Sequence, residues 1–214
     1  MKKGAIFDLD GTLISSTKLH ERAWQEMFGR YDIILQDSEL QEQRGKTNLS
    51  FATLIIDRRG LAGFDPRALA NEKDQIAVQL LGDGLASVFP DALEFLKLLR
   101  ANGVKMALAT SATKQTAFLL AEDLMTFFEA AIFAEDVRRG KPDPEPFLAA
   151  AAKLGLPPAD CIVFEDAESG VAAAKAGGFL CVARDNGLGQ DLADADFVIK
   201  EFDPPMLVKY FENK

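Results

Sequence analysis

Two aspartates separated by a single residue carry the most informative chemistry of this chain. Asp8 and Asp10 follow the apolar run at residues 4–7, which is typical of a buried β-strand. In a parallel sheet the carboxyl ends of the strands border the ligand crevice, so both carboxylates would project into it. Two buried carboxylates this close repel each other unless a cation or a proton offsets their charge. The pair therefore predicts a metal-dependent reaction in preference to a solvated Asp-Gly turn.

Two further motifs with phosphate-binding chemistry follow later apolar segments. Thr110 and Ser111 come directly after residues 104–109, where hydroxyls and free backbone amides can hold phosphoryl oxygens, although a Thr-Ser pair is also a common helix cap. Lys141 lies between a glycine and a proline just before a predicted helix. In that place a lysine either presents a fixed positive charge or is a solvated loop residue.

A second pair of acids also follows an apolar run, and its two carboxylates would repel each other in the same way as those of Asp8 and Asp10. Glu165 and Asp166 close the apolar run at residues 161–164, so they would lie at the same edge of the sheet as Asp8. One hard cation would offset the negative charge of both pairs, since Mg²⁺ prefers oxygen ligands from carboxylates, waters and substrate phosphate. The backbone carbonyl of Asp10 could complete the set. The predicted metal ligands are Asp8, Asp10, Glu165 and Asp166.

Strands and helices alternate through most of the chain, which predicts an α/β protein with a Rossmann-like, doubly wound parallel sheet. The predicted strands are residues 4–7, 104–109, 131–134, 161–164 and 179–183, with a short edge strand at 197–199. The predicted helices between them are 91–101, 115–124, 144–154 and 170–176. Asp143 is the expected N-cap of the third of these, because Pro144 suits a first helical position.

A helical segment interrupts this alternation directly after the paired aspartates. Residues 20–28, 49–57 and 66–81 show helical periodicity and are separated by glycines. The first strand cannot bury its faces alone, so this segment must be an insertion into the sheet domain. We expect a core of residues 1–14 and 83–214 and a helical cap of residues 15–82, which would cover the carboxyl edge of the sheet as a lid.

The composition of the chain limits which binding partners and which cellular compartment are expected. The net charge of −9 over 214 residues leaves no basic face for a nucleic-acid backbone. The apolar stretch behind the first residues is too short for a signal peptide, and no later run could span a bilayer. Cys161 and Cys181 each lie within an apolar run, which favours buried, reduced thiols. We expect a cytoplasmic monomer that binds neither nucleic acid nor membranes.

The order of these motifs resembles that of the haloacid dehalogenase-like superfamily. Its signature motifs align with Asp-Leu-Asp-Gly-Thr at residues 8–12, with Thr110, with Lys141 and with the Glu165-Asp166 pair. The resemblance covers essentially the whole chain, including a small helical cap after the first motif. It is strongest to the branch of sugar-phosphate phosphatases and β-phosphoglucomutase, where it extends through residues 20–24, 140–144 and 165–170.

The resemblance implies a role for each motif. Asp8 would attack phosphorus in line and form an aspartyl-phosphate. Asp10 would protonate the leaving alkoxide and then take a proton from the attacking water. Lys141, Mg²⁺ and the hydroxyl of Thr110 would offset charge on the phosphoryl oxygens, with Ser111 beside them.

The cap region departs from the mutase pattern. β-Phosphoglucomutase uses a cap arginine to hold the distal phosphate of its bisphosphate intermediate, and alignment on Gly45 places Asn48 there. Arg44 or Lys46 could substitute, but not with the same bidentate geometry. Residues 15 and 16, both serine, stand where the family commonly has an aspartate. The candidate cap contacts are His20, Arg44, Lys46, Asn48 and Lys73, of which His20 and Lys73 resemble mutase residues; His20 could equally pack on Trp24.

These residues predict a Mg²⁺-dependent phosphatase that hydrolyses a small phosphorylated metabolite, expected to be a sugar phosphate. Phosphoryl transfer within a hexose phosphate, as in β-phosphoglucomutase, is the alternative. A dehalogenase shares the aspartate nucleophile but needs neither Asp10 nor the acids at Glu165 and Asp166. A non-catalytic binding module is disfavoured because every motif of the superfamily is present in the chain.

Overall fold

The computed structural model describes residues 2–203, 210 and 211 of the chain. Its strands are β1 (Gly4–Phe7), β2 (Ile14–Ser15), β3 (Ser87–Val88), β4 (Lys105–Ala109), β5 (Ala130–Ile132), β6 (Cys161–Glu165), β7 (Leu180–Arg184) and β8 (Phe197–Ile199). Its α-helices are α1 (Thr17–Gly29), α2 (Asp37–Gln41), α3 (Asn48–Arg59), α4 (Pro66–Leu80), α5 (Pro90–Ala101), α6 (Lys114–Met125), α7 (Glu145–Leu154) and α8 (Glu168–Ala176).

Six strands form one parallel sheet in the order β5-β4-β1-β6-β7-β8. Apolar side chains cover both faces, because α5 and α6 pack on one side and α7 and α8 on the other. Phe7 of β1 stacks on Phe164 of β6 with ring centroids 4.7 Å apart. Strands β4 and β5 follow one another on one side of β1, and β6, β7 and β8 follow on its other side. The strand order therefore reverses at β1, and in such sheets the ligand crevice lies at the carboxyl end of that strand. The predicted doubly wound parallel sheet is confirmed.

Helices α1 to α4 lie between β2 and β3 in the sequence and form a separate hydrophobic cluster. Trp24 is its centre: it packs edge-on against Phe51 at 4.8 Å and lies against Phe28. The antiparallel pair β2–β3, with Ile14 opposite Val88, lies where the chain enters and leaves this helical block. The sequence did not predict this two-residue pair or the short helix α2. The division into a core of 1–14 and 83–214 and a cap of 15–82 stays a prediction.

Some local details differ from the expectations while the elements agree. Helix α7 begins at Glu145, with Pro144 as its N-cap residue, so the boundary lies one residue later than predicted. Asp143 still accepts a hydrogen bond from the backbone nitrogen of Glu145 at 3.0 Å. Cys161 and Cys181 are buried and unpaired with each other, as expected. No helix in the described part of the chain combines the length and the apolar character that a membrane span requires.

Candidate active site

A buried lysine joins the end of β1 to the end of β6. The Nζ atom of Lys141 donates to Oδ1 of Asp8 and to Oε1 of Glu165, each at 2.6 Å, and lies 4.8 Å from the ring centre of Phe147. Although burial opposes the charged form, these two carboxylates raise the pKa of Lys141 above its ordinary value. Lys141 is therefore buried beside the carboxylate of Asp8 and is not a solvated loop residue.

Both oxygens of Glu165, the second carboxylate bound to Lys141, accept hydrogen bonds from protein donors. Its Oε2 accepts from the backbone nitrogens of Asp166 and Ala167 at 2.7 and 2.8 Å, while Oε1 accepts from Lys141. Gly170 leaves room for it, because a Cβ at that position would lie 1.8 Å from Oε1. The arrangement suits a residue that positions Lys141 better than one that ligates a cation.

Asp166 lies opposite Asp8 and is held by two polar neighbours. Its Oδ2 accepts from Nδ2 of Asn186 at 2.9 Å, and the hydroxyl of Thr12 donates to Oδ1 at 3.4 Å. Gly11 is required here, since its φ of +85° is left-handed and a Cβ would lie 2.0 Å from Oδ2 of Asp166. The turn after β1 thus shapes the carboxylate that follows β6.

The acids at this edge could hold a divalent cation. Ligand atoms of Asp8, Glu165 and Asp166 lie within 4.8 Å of one another. Burial raises the pKa of Asp8 to about 7, and burial together with the neighbouring acids raises that of Asp166 well above its ordinary value. Positive charge between these groups would stabilise their ionised forms, which is the chemistry of a Mg²⁺ site. Because the oxygens of Glu165 are occupied, Asp8 and Asp166 offer the better ligands.

Asp10 is in a different environment from Asp8, turned toward α1. Its Oδ1 accepts from the hydroxyl of Ser16 at 2.5 Å and lies 2.9 Å from Nε2 of His20. Although burial acts in the opposite direction, His20 and Ser16 lower the pKa of Asp10. The serine at position 16 thus supplies a hydrogen bond in this turn, where the family commonly has an aspartate.

Behind His20 lies a fully buried lysine of α4. The Nζ atom of Lys73 is 2.7 Å from Nδ1 of His20 and 3.6 Å from Oδ1 of Asp74. Burial lowers the pKa of Lys73. An ammonium group only donates, so its hydrogen bond makes Nδ1 the acceptor and places the imidazole proton on Nε2, facing Asp10. The ring centre of Trp24 lies 5.7 Å from Nζ of Lys73. Lys73 therefore contacts both the aromatic cluster of the helical block and the polar group formed with His20.

Thr110 and Ser111 follow β4 at the same edge of the sheet. Thr110 is buried, and its hydroxyl accepts from the backbone nitrogen of Ala112 at 3.0 Å. The hydroxyl of Ser111 donates to the carbonyl of Gly45 at 3.0 Å. Ser111 therefore links the sheet edge to the loop before α3, and both hydroxyls lie at the strand end where the sequence places them.

Three of the five cap candidates, Arg44 and Lys46 in the loop before α3 and Asn48 at the start of that helix, line the cleft and differ in their hydrogen bonds. Arg44 donates to the carbonyl of Leu188 at 2.5 Å and to Glu21 at 3.3 Å. Lys46 donates to the backbone carbonyl of Glu42 at 2.8 Å. The amide of Asn48 is already bound to a carboxylate, since Nδ2 donates to Oδ1 of Asp74 at 2.7 Å.

A cleft joins the two sides of the site. Its lining residues are Asp8, Asp10, Thr17, His20, Gln43, Arg44, Gly45, Lys46, Asn48, Ser111, Ala112, Thr116 and Asp166. It brings together the predicted nucleophile, the predicted acid–base residue and the cap loop. Of the predicted site residues, Lys73, Thr110, Lys141 and Glu165 are not among those that line the cleft. Lys73 contacts His20, and Glu165 contacts Lys141, which in turn contacts Asp8.

Comparisons with known proteins agree with this arrangement. A model of the haloacid dehalogenase-like hydrolase family matches residues 2–178. The chain belongs to this family.

Among its relatives are phosphatases of small phosphorylated compounds and a mutase. It is 32% identical to the fructose-1-phosphate phosphatase YqaB of Escherichia coli over 82% of this chain and 92% of that protein. It is 35% identical to the validoxylamine A 7'-phosphate phosphatase of Streptomyces hygroscopicus subsp. limoneus over 94% of each. A β-phosphoglucomutase of Bacillus subtilis is 29% identical over 93% of this chain and 89% of that enzyme.

The fold of this haloacid dehalogenase-like hydrolase is shared with solved structures. A hydrolase from Pseudomonas syringae superposes with a TM-score of 0.87 at 26% identity, over 99% of this chain and 100% of that one. The predicted family and its phosphatase and mutase branch are therefore confirmed. The roles of the individual residues stay predictions.

The sequence reasoning missed several residues that shape the site of this hydrolase. Arg184 is the last residue of β7, and Asn186 lies just after it. Asn186 donates to Asp166, and Arg184 donates to the carbonyl of Thr12 at 3.4 Å. Their place after a predicted strand was a signal that could have identified them. Gln43 gave no such signal, because it belongs to a loop whose approach to the cleft depends on tertiary packing.

Proposed function

We propose that this protein is a Mg²⁺-dependent phosphatase that hydrolyses a sugar phosphate or a similar small phosphorylated metabolite through an aspartyl-phosphate on Asp8. The observation that carries the proposal is the buried group formed by Asp8, Lys141 and Asp166 at the carboxyl ends of β1 and β6. The related phosphatases, one of which is named for fructose 1-phosphate, support the substrate class.

In the proposed first step the carboxylate of Asp8 attacks phosphorus and the bond to the leaving oxygen breaks. Lys141, already 2.6 Å from Oδ1 of Asp8, would offset negative charge on the phosphoryl group, with the hydroxyls of Thr110 and Ser111 at the neighbouring strand end. Asp10 would give its proton to the leaving alkoxide. When bound by Asp8 and Asp166, with the carbonyl of Asp10, the cation would add positive charge against the same oxygens.

In the second step the aspartyl-phosphate on Asp8 is hydrolysed. Asp10 would take a proton from the attacking water, inorganic phosphate would leave, and the carboxylate of Asp8 would be restored. His20 supports this role of Asp10, because its Nε2 proton faces Oδ1 at 2.9 Å. Lys73 would keep that proton on Nε2 through its contact with Nδ1. These two cap residues would then act through Asp10.

The helical block supports a lid role for residues 15–82. Its loop reaches the sheet edge through Ser111, which donates to the carbonyl of Gly45, and through Arg44, which donates to the carbonyl of Leu188. A lid in this place would exclude water from the phosphorylated Asp8 and would select the leaving group. We also propose that the protein acts as a monomer in the cytoplasm, with no nucleic-acid or membrane partner.

The test is phosphate release from p-nitrophenyl phosphate and a panel of sugar phosphates, with Mg²⁺ and with excess EDTA. We expect turnover only with the metal, and an acid-quenched, hydroxylamine-sensitive phosphoryl group on the wild-type protein. Asp8→Asn should lower turnover by roughly 10³-fold or more and leave no trapped phosphate. Substantial turnover by Asp8→Asn would refute Asp8 as the nucleophile, and turnover unaffected by EDTA would refute the dependence on Mg²⁺. No hydrolysis of any phosphate ester by the wild-type protein would favour a dehalogenase or a binding module.

A phosphomutase is the second candidate, favoured by the contact of His20 and Lys73 with Asp10 and by the related β-phosphoglucomutase. A mutase must hold a second phosphate, and the amide of Asn48 faces the carboxylate of Asp74 instead. The hydrolytic reaction is therefore the better fit. Formation of glucose 6-phosphate from β-glucose 1-phosphate, with a bisphosphate primer, faster than release of phosphate would reverse this preference.

A further inference from the structure

A buried amide in the cleft has no partner within the described part of the chain. Gln43 follows α2, is only 9% exposed, and lines the cleft together with Asp8, Asp10 and His20. Its Nε2 atom is buried and makes no hydrogen bond to any described residue. Buried donors in folded proteins are almost always paired, and one that is not is costly. An unpaired donor next to a reaction centre indicates a place for a substrate atom.

The neighbouring residue shows the same feature independently. Arg44 also lines the cleft, and its Nε atom is buried and unpartnered among the described residues. The other nitrogens of this guanidinium are used, since Nη1 donates to Leu188 and Nη2 to Glu21. Two consecutive residues that line the same cleft thus each have a buried N–H group without a partner among the described residues. Glu21 offsets the charge of Arg44, so the pair is not a dedicated anion clamp.

The chemistry of these groups identifies the part of the substrate that they meet. The groups suited to the phosphoryl group, the cation of Lys141 and the hydroxyls of Thr110 and Ser111, belong to the sheet edge. Gln43 belongs to the helical block, across the cleft from the sheet edge. If the phosphoryl group binds at the sheet edge, the leaving group lies on the side of Gln43. A side-chain amide both donates and accepts, which matches a hydroxyl better than a phosphate.

We propose that Gln43 is a specificity-determining residue that hydrogen-bonds a hydroxyl group of the sugar carried by the leaving oxygen. The inference rests on the proposed phosphatase activity and deepens it by naming the recognised group. A site built to pair with a hydroxyl rejects esters that lack it, because its own polar group is then left buried and unpaired. Gln43 therefore favours polyhydroxylated esters over aryl esters.

The experiment compares two probes, fructose 1-phosphate and p-nitrophenyl phosphate, whose leaving group has no hydroxyl besides the one formed. Gln43→Leu removes the amide at similar volume, and Gln43→Met is a second variant that keeps the unbranched shape. Gln41→Leu is the matched control, because Gln41 is exposed on α2 and does not line the cleft. The values of kcat/KM with Mg²⁺ are measured for all four proteins, with melting curves to confirm folding.

We expect kcat/KM for fructose 1-phosphate to fall at least ~10-fold in both Gln43 variants, and that for p-nitrophenyl phosphate to fall less than ~3-fold. Gln41→Leu should leave both values near wild type. An equal change for the two esters would mean that Gln43 does not distinguish their leaving groups, and no change for either would mean that its amide pairs only with water. Either result overturns the role of Gln43. Absence of hydrolysis of both esters by the wild-type protein would instead refute the proposed phosphatase.

Discussion

At the scale of single residues, the two aspartates of the first motif have opposite electrostatic environments. Burial raises the pKa of Asp8 to about 7. The pKa of Asp10 is lowered, because His20 and Ser16 stabilise its ionised form more than burial disfavours it. A bound divalent cation lowers the pKa of a carboxylate and a nearby phosphoryl group raises it. Filling the site thus moves Asp8 toward the ionised nucleophile and Asp10 toward the protonated acid.

The acid role of Asp10 leads to a prediction about leaving groups. An alkoxide needs a proton as it departs, whereas p-nitrophenolate is a weak base and leaves without one. Asp10→Asn should therefore lower kcat/KM for fructose 1-phosphate by about 10²- to 10⁴-fold and that for p-nitrophenyl phosphate by far less. The measurement is kcat/KM with saturating Mg²⁺, because it reports the step that breaks the ester bond.

Asp8→Asn is the matched comparison for this prediction. The nucleophile attacks both esters, so its loss should suppress both to a similar extent. If Asp10→Asn affected the two esters equally, Asp10 would not be the proton donor to the leaving group. Its contacts with Ser16 and His20 would then serve only to hold the turn after β1.

The sequence predicted the residues that follow the strand ends at this site, but it missed Asn186 and Gln43 and could not show how the side chains pair. Asp8, Asp10, Lys141 and Asp166 follow strand ends in an order that the fold brings together. The oxygens of Glu165 accept hydrogen bonds from Lys141 and from two backbone amides. Whether such bonds form depends on distances of a few tenths of an ångström. Such pairings between distant segments leave no periodic signal in a single sequence.

At the scale of elements, α8 tolerates a glycine because that glycine makes room for Glu165. Gly170 lies in the first turn of this helix, where an alanine would ordinarily favour helix formation. A Cβ there would lie 1.8 Å from Oε1 of Glu165 and 2.5 Å from Oε2. The carboxylate would have to leave its backbone donors and Lys141 would lose a partner.

Gly170→Ala is therefore expected to destabilise the protein by about 1–3 kcal/mol, as for an overpacked core, and to lower kcat. Gly29→Ala is the matched control, since Gly29 also lies in a helix and a Cβ there would meet nothing within 4 Å. That control should be neutral or stabilise by up to about 1 kcal/mol. Urea unfolding measures both; equal effects of the two substitutions would contradict the packing argument.

The helices of several turns and the parallel strands were predictable, whereas the shortest pair of strands was not, for a physical reason. The long helices carry a repeated periodic pattern, and each parallel strand is an apolar run between turn residues, even the three-residue strands β5 and β8. The pair β2–β3 has two residues in each strand, and its pairing depends on where the helical block returns. The start of α7 differed by one residue because Asp143 caps the turn before the helix rather than the helix itself.

At the scale of the whole molecule, the acidic edge of the sheet couples folding to pH and to the cation. The pKa of Asp8 is raised on folding from 3.8 to about 7. In the metal-free protein this group therefore stabilises the fold fully below about pH 4. That contribution is lost as the pH rises through about 7. The pKa of Asp166 is also raised, so it adds in the same direction.

A cation binds the ionised carboxylates, so it competes with the protons that stabilise the metal-free fold. We expect the increase in melting temperature caused by millimolar Mg²⁺ to be small at pH 5 and to grow through about pH 7 toward pH 8. Asp166→Asn should abolish most of this increase, because it removes a ligand. Asp83→Asn, at an exposed position outside the cleft, should leave the increase unchanged. Thermal unfolding with Mg²⁺ and with EDTA across this range gives the comparison. An equal shift at pH 5 and pH 8, or one retained by Asp166→Asn, would mean that the cation binds elsewhere.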